Sequence, residues 1–528
     1  MAEKGLYLSL AAAFLFAAVA VLTYPLASNS IILSPTGSGE FMLGSYYFSH
    51  FEPMNAAQKQ LYGYFNIHRP LLVLMMVGVN LLGLVKFWFL LPFAFYLLGG
   101  VFLYLFLKDK IENDIVRLGS VLILLFNSVY LYFGLHLLPD IPFAASLMAM
   151  LYLLDRAVKP DGTFSEKYWR LTLIAALAAA LMRVEGFLAL LIPLFYYAYV
   201  KNRTEGDWWQ RKALADRNIW EYALASVVVV SLCFAALIFL TERTLDVWNY
   251  PARLMEYIPK LSEDVANVGA NRGVLDYILS ETILAFTILP FIFSMLGLWL
   301  ALSKRERTLY PCTALLIGLL LMNTLVTFFS HGEQRYVTHL FPMLVVFAAY
   351  AVDRAVKKVP LKGGYARGII AVLLVALLVY SSYFLVHKGL GTGDVIKGYA
   401  DNKKTLAVTM EGSKGFEGDR KFSAISGYIF VRDAIRSYGG DYSRVFISFN
   451  PAEFAEYVRI LEGKEVHMLN RTNWERMGDS DIAIIIATAP FDEHAKYSRY
   501  VFDERAKVHV YTMTAEDVRE SERFMQWQ

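Results

Sequence analysis

Apolar residues run along this chain in long blocks, not in the short periodic patches of a soluble domain. Runs of about 18 to 22 apolar residues recur up to residue 386, each long enough to cross the ~30 Å hydrocarbon layer of a bilayer as a helix. The pattern predicts about eleven membrane helices, near residues 5–24, 88–107, 115–135, 141–155, 170–182, 186–200, 220–241, 278–302, 309–329, 340–354 and 367–386. Segment 5–24 could pass for a signal peptide, but it is longer than a usual apolar core, lacks a small-residue cleavage site and precedes many further spans, so it is read as the first helix. Segment 70–86 is also apolar, yet a crossing there would spoil the charge alternation described next. It is expected to lie along the outer membrane surface. Residues 25–69 and 242–277 then form two long external loops, and loops of that length are usually functional.

The polar connections differ by side. Lys and Arg collect in 108–110, 156–170, 201–217, 303–307 and 354–367, which should therefore face the cytoplasm. Eleven crossings from a cytoplasmic amino terminus place the carboxyl terminus outside. All nine histidines fall on the external side or at an external helix end.

After Leu385 the rhythm changes. RVFISF (444–449), EVHML (465–469), DIAIIIAT (481–488) and KVHVYTM (507–513) alternate with the helical patterns PAEFAEYVRIL (451–461), FDEHAKYSRYVF (491–502) and a helix opened by Thr514. Short apolar runs alternating with helical ones predict a mostly parallel sheet covered by helices. The chain thus reads as a polytopic α-helical membrane domain, 1–387, followed by an extracytoplasmic soluble α/β domain, 388–528. Asn470-Arg471-Thr472 on that domain is a glycosylation acceptor sequence. No Gly-rich phosphate fingerprint joins a strand to the next helix, so nucleotide binding has no support there.

Composition agrees and narrows the function. Of 528 residues 57% are hydrophobic and 18% charged, with a mean hydropathy of +0.43, against roughly 45–50% and a quarter in soluble domains. A soluble enzyme is excluded. The net charge of +3 is too small and scattered to suggest a nucleic-acid partner. Cys233 and Cys312 both sit in apolar runs and are not placed to form a disulfide.

Ionisable residues at the membrane are costly and point to function. Glu40 stands in the first external loop, where a carboxylate is either solvated and idle or chemically engaged. Asp140 follows Pro139 at the start of the fourth helix, a place that suits a helix cap and catalysis equally. Arg183 and Glu185 interrupt the apolar stretch AALAAALMRVEGFLALLIPL, where an arginine must find a carboxylate, a phosphate or water. His68-Arg69-Pro70 ends the first loop. SHGEQRYVTHLFPML gathers His331, Glu333, Arg335, Tyr336 and His339 between two helices, a density of charge that a structural loop does not need. Carboxylates can deprotonate an acceptor hydroxyl or hold a divalent ion, and arginines grip phosphate in a bidentate fork. The combination suits transfer from a lipid-linked phosphate donor, and it also suits several transporters.

The order of these features resembles the GT-C superfamily of integral-membrane glycosyltransferases, over roughly residues 1–390. The matching elements are an acidic residue in the first loop (Glu40), a His-Pro-Pro-Leu-like element (His68-Arg69-Pro70-Leu71), an acidic residue at the third-to-fourth helix turn (Asp140) and a late Arg-Tyr…Pro element (Arg335, Tyr336, Pro342). HGEQRY is also similar to the His-Lys-Glu-x-Arg-Phe element of dolichyl-phosphate-mannose-dependent mannosyltransferases. The resemblance implies an inverting enzyme of the cell membrane, with its active site outside the cytoplasm. Its donor would be a polyprenyl- or dolichyl-phosphate sugar, mannose or a related hexose, and its acceptor a protein, glycan or lipid. Glu40 would be the base or acceptor-orienting acid and Asp140 a second acid. Arg69, Arg183, Arg335 and Tyr336 would hold the donor phosphate, supported by His68, Glu185, His331 and Glu333. A divalent ion, Mg or Mn, would fall to Glu40 and Asp140.

Three departures stand out: Gly39 precedes a single Glu40 where an acidic pair is common, Arg69 replaces a proline, and Trp208-Trp209-Gln210 departs from the Trp-Trp-Asp-Tyr-Gly of oligosaccharyltransferases. Two other classes fit the charges. One is a transporter or lipid flippase with a charged external pathway, although 200–390 does not repeat the pattern of 1–200. The other is a membrane-anchored assembly protein whose business lies in 388–528.

Overall fold

The computed structural model describes residues 38–51, 54, 69–84, 90–134, 138–204, 216–242, 282–283, 286–328, 335–358, 364–384, 442–447, 465–468, 477–487, 499–503 and 508–520. The chain divides into two units, one of residues 1–32 and 40–393, the other of 33–39 and 394–528.

The first unit is helical. In order come α1 (Ser38–His50), α2 (Pro70–Leu81), α3 (Leu90–Leu107), α4 (Asp114–Leu125), α5 (Ser128–Gly134), α6 (Asp140–Ala157), α7 (Glu166–Met182), a 3-10 turn (Val184–Gly186), α8 (Phe187–Thr204) and α9 (Arg217–Glu242). After them come α10 (Ile288–Ser303), α11 (Tyr310–Phe328), the single turn α12 (Arg335–Thr338), α13 (Phe341–Lys358) and α14 (Gly364–Phe384). The predicted spans from 88 to 386 correspond to these helices with two corrections. The span 115–135 is broken: α4 stops at Phe126, and the Asn127 side chain accepts from the backbone of Val129 (3.1 Å) and Tyr130 (3.0 Å), starting α5 afresh as a helix cap does. The span 278–302 is interrupted at Thr287, whose φ of 73° lies in the left-handed region that a β-branched residue avoids, so α10 begins only at Ile288. Span 5–24 lies outside the described residues. Helix α2, at 12 residues, is about 18 Å long, too short to cross a bilayer.

Two helices sit at the centre. Helix α6 is buried on every face from Asp140 to Leu151, and α13 from Phe341 to Asp353. A helix buried all round belongs to the middle of a bundle. Helices α3 and α7 pack against α6, while α4 and α10 pack against α13. Small residues let these axes approach. Helix α7 buries Ala175, Ala176, Ala179 and Ala180, and α10 turns Ser294, Gly297 and Ala301 inward. Ser294 Oγ donates to the carbonyl of Leu344 at 2.7 Å, and a Cβ on Gly297 would collide with the carbonyl oxygen of Phe347. Close approach through small side chains is how helices associate where no hydrophobic effect drives them together.

The outside of the bundle is apolar. Ile174, Phe195, Leu224, Leu232, Phe239, Trp299, Leu321 and Leu373 are each more than three-fifths exposed. Large apolar side chains exposed in such number suit contact with hydrocarbon better than with water. Among the described residues, Leu90–Leu107 and Arg217–Thr241 are long and apolar enough to cross a membrane by length and composition, and four further helices carry shorter apolar stretches.

All five basic connections meet at one end. Arg156 pairs with Asp109 (2.9 Å) and buried Lys110 with Asp155 (2.8 Å). Lys357 bridges Asp353 (2.9 Å) and Glu112 (3.1 Å), and Arg354 reaches Glu306 (3.6 Å). Trp169 Nε1 donates to the backbone of Asn218 at 3.4 Å, while Lys201 pairs with Asp216. Asp140 and Asp155 mark the two ends of α6, about 22 Å apart at 1.5 Å per residue. The polar groups near Asp140 therefore occupy the opposite end of the bundle.

The second unit contains a five-stranded sheet: β1 (Arg444–Ile447), β2 (Glu465–Met468), β3 (Ile482–Ala487), β4 (Arg499–Asp503) and β5 (Val508–Thr514), in the order β2-β1-β3-β5-β4. Strands lie at the four expected places, the expected helix 451–461 falls outside the described residues, and the sheet is mixed. Strand β1 is parallel to β2 and β3, whereas β5 runs antiparallel to β3 and β4. Residues 499–502, expected as the end of a helix over 491–502, are strand in β4, because pairing with β5 overrides their helix-forming pattern, while 491–498 lie outside the described residues. Arg444 ties β1 to the start of β3 with two bonds to buried Asp481, at 3.2 and 2.6 Å. The short helix α15 (Ala515–Glu520) is opened by Thr514, whose Oγ1 accepts from Asp517 N while Asp517 accepts from Thr514 N.

The α10–α13 contact gives a test of the packing. Gly297→Val forces the two backbones apart, and overpacking of this kind costs about 1–3 kcal/mol. The variant is expected to melt several degrees below wild type in detergent, while a valine at exposed Leu296, on the other side of α10, leaves the melting temperature unchanged.

Candidate active site

Three ionisable side chains converge at the end of the bundle opposite the basic connections. Asp140 opens α6, Arg183 ends α7, and Glu185 lies in the 3-10 turn between α7 and α8. The turn is tight: Gly186 N donates to the Arg183 carbonyl at 2.9 Å, and a Cβ on Gly186 would collide with the backbone of Ala179 and Ala180. The chain therefore folds Glu185 back onto Arg183. Arg183 Nε lies 3.1 Å from Glu185 Oε2 and Nη2 lies 2.8 Å from Oε1, the two parallel bonds of a guanidinium-carboxylate fork. On its other side, Nη1 bonds Asp140 Oδ1.

The side chains are closed off, with exposures of 5% for Arg183, 1% for Asp140 and 6% for Glu185. Burial by itself would raise the Glu185 carboxyl. The guanidinium overrides this and holds it at about 2. Among these three groups one negative charge is in excess. Asp140 does not act as the cap of its helix. Pro139 occupies the cap position of α6 without a side-chain bond, and the Asp140 carboxylate is spent on a residue 43 positions away.

Around this triad lie Phe143, over which the Arg183 guanidinium carbon stands at 6.0 Å, and His339, whose ring is 5.1 Å from that of Phe143. His339 Nε2 is 3.4 Å from Asn323 Nδ2. The sequence groups His339 with a charged loop but assigns it no role, and it overlooks Asn323. The available signal was an amide inside the apolar run LLIGLLLMNTLVTFF, an expensive residue there.

The remaining candidates are placed less completely. Arg69 precedes Pro70 at the start of α2. Glu40 lies in α1, and Arg335 and Tyr336 lie in α12, which packs against α5 and α6, but their side chains fall outside the described residues. His68, His331 and Glu333 also lie outside them. Among the described residues no group of three or more His, Cys, Asp or Glu could hold a metal ion.

The triad makes a sharp prediction about stability. Arg183→Met strands two buried carboxylates, and breaking such a buried cluster costs about 3–5 kcal/mol. Adding Asp140→Asn and Glu185→Gln removes both charges at constant shape and should recover most of the lost melting temperature.

No protein-family model matches the sequence, and no curated protein is similar to it. Its likeness appears in three dimensions. The crystal structure of ArnT from Cupriavidus metallidurans in the apo state superposes with a TM-score of 0.53 at 15% identity, over 98% of this chain and 99% of its own. The same protein bound to undecaprenyl phosphate matches with a TM-score of 0.53 at 15% identity, over 94% and 97%. The archaeal oligosaccharyltransferase AglB from Archaeoglobus fulgidus, in complex with an inhibitory peptide and a dolichol-phosphate, is more distant, with a TM-score of 0.47 at 13% identity over 88% and 64%. At such identities the likeness is one of fold: this chain shares the fold of ArnT over nearly its whole length.

Proposed function

We propose that this protein is an inverting glycosyltransferase that moves a sugar from a polyprenyl- or dolichyl-phosphate donor to an acceptor oxygen outside the cytoplasm. The observation that carries the reading is the buried Asp140–Arg183–Glu185 triad at one end of a fold whose solved example binds undecaprenyl phosphate. Structural ion pairs are common at protein surfaces. One enclosed by apolar helices, at the end of a bundle opposite its basic connections, points to chemistry.

In this reading Asp140 receives the proton of the acceptor hydroxyl. The acceptor oxygen attacks the anomeric carbon, the bond from that carbon to the phosphate oxygen breaks, and polyprenyl phosphate leaves with the electron pair. A single displacement inverts the configuration. The Arg183 fork is turned to Glu185 and Asp140, so we assign Arg183 to aligning the carboxylates. The donor phosphate falls to Arg335 and Tyr336, whose turn packs on α6, and to Arg69. Glu40 joins Asp140 in orienting the acceptor. A hard cation such as Mg2+ or Mn2+ fits the oxygen donors of Asp140 and Glu40 in kind, and the surplus negative charge of the triad favours one. Such an ion would draw charge from the donor phosphate.

The membrane assignment follows the same line. The basic end faces the cytoplasm by the positive-inside rule, about eleven helices cross, and the triad and residues 388–528 lie outside. We place the sugar among hexoses, mannose first, by the likeness of HGEQRY to mannosyltransferase motifs, and the acceptor among proteins, glycans and lipids.

The test is turnover in lipid nanodiscs with radiolabelled undecaprenyl-phosphate-mannose. Asp140→Asn keeps an oxygen for Arg183 but cannot take a proton. It is expected to slow sugar release about 10²–10⁴-fold, the usual contribution of a general base, with donor affinity and melting temperature close to wild type. Undiminished turnover in this variant contradicts the assignment.

A further inference from the structure

His339 is fully buried between α12 and α13, and Asn323 is nearly so on α11. Their 3.4 Å contact fixes a proton. An amide nitrogen only donates, so Nε2 of the histidine accepts, and a neutral ring must then carry its hydrogen on Nδ1. The ring is neutral: burial and the nearby Arg183 push it well below the usual imidazole range, to about 3. Among the described residues Nδ1 has no hydrogen-bond partner. The protein therefore holds an idle N–H donor, completely buried, next to Phe143 and within the field of Arg183 and Glu185. Buried donors without acceptors are rare because each costs free energy, and those that persist call for an explanation.

The surrounding charge decides what this donor awaits. Asp140 and Glu185 share one guanidinium, and the surplus negative charge disfavours a further anion. A hydroxyl fits better, since it accepts from His339 and can give its own proton to a carboxylate. We propose that His339 binds a hydroxyl of the donor's sugar through Nδ1–H, with Asn323 as the positioning residue that fixes the tautomer. This rests on the glycosyl-transfer reading and names the group that recognises the sugar.

Two variants separate recognition from architecture. In His339→Asn the amide nitrogen lies near the place of Nδ1 and the donor is kept. In His339→Gln the amide reaches the place of Nε2, where its oxygen accepts from Asn323, and the donor at the place of Nδ1 is lost. Affinities are measured on the full-length protein in nanodiscs for undecaprenyl phosphate and for its mannose-, glucose- and galactose-linked forms, together with melting temperatures. Wild type is expected to prefer one hexose-linked form over bare undecaprenyl phosphate. His339→Gln should lose roughly five- to tenfold of that preference, the worth of one neutral hydrogen bond, with affinity for bare undecaprenyl phosphate unchanged. His339→Asn should retain most of it. The inference is overturned if His339→Gln keeps the preference, if wild type shows none, or if both variants lose affinity for all four lipids in step with melting temperature. Wild type binding none of the four would instead refute the glycosyl-transfer reading itself.

Discussion

Charges taken out of water must be matched where they sit, and in this fold the match is made by one arginine. Arg183 is closed off among apolar helices, where an ion alone would cost several kcal/mol, and two carboxylates complete it. Much of the local architecture serves that match. The glycine in the 3-10 turn lets Glu185 fold back, and proline at the cap of α6 leaves Asp140 available for a long-range contact. The arrangement binds the start of α6 to the end of α7 and fixes the geometry of both carboxylates. A residue that holds reactive groups in one orientation gives catalysis its advantage in proximity and preorganisation.

The two ends of the bundle then divide the work. One joins all five basic connections through ion pairs and the Trp169–Asn218 hydrogen bond. The other is nearly dry and holds a few enclosed polar groups. Between them the helices approach through glycine, serine and alanine, and they turn large apolar side chains outward. An apolar outer surface and a polar site at one end are thus consequences of a single distribution of residues.

Much of this was legible in the sequence, for physical reasons. Long apolar blocks have few alternatives to membrane helices, and the Lys and Arg bias identified the connections that the structure brings together. The interruptions were harder to see, because Asn127 and Thr287 are single residues whose effect lies in capping and backbone angle. Strand β4 was hidden for another reason: FDEHAKYSRYVF carries a helical pattern, and only its partner β5 makes Arg499–Asp503 extended. At the site, Arg183 and Glu185 announced themselves as charges in an apolar run. Asp140 could not be settled locally, since cap and ion pair look alike until a residue 43 positions away is in place. The partnership of Asn323 with His339 is likewise long-range.

The central claim is that the donor reacts beside the Asp140–Arg183–Glu185 triad. A cryo-electron-microscopy structure of the protein in nanodiscs with undecaprenyl-phosphate-mannose tests it most directly. The account predicts the sugar and its phosphate at that end of the bundle, with the anomeric carbon near the Asp140 carboxylate and the Arg183 fork still on Glu185. Donor density at the basic end, or away from α6 and α7 altogether, would contradict it.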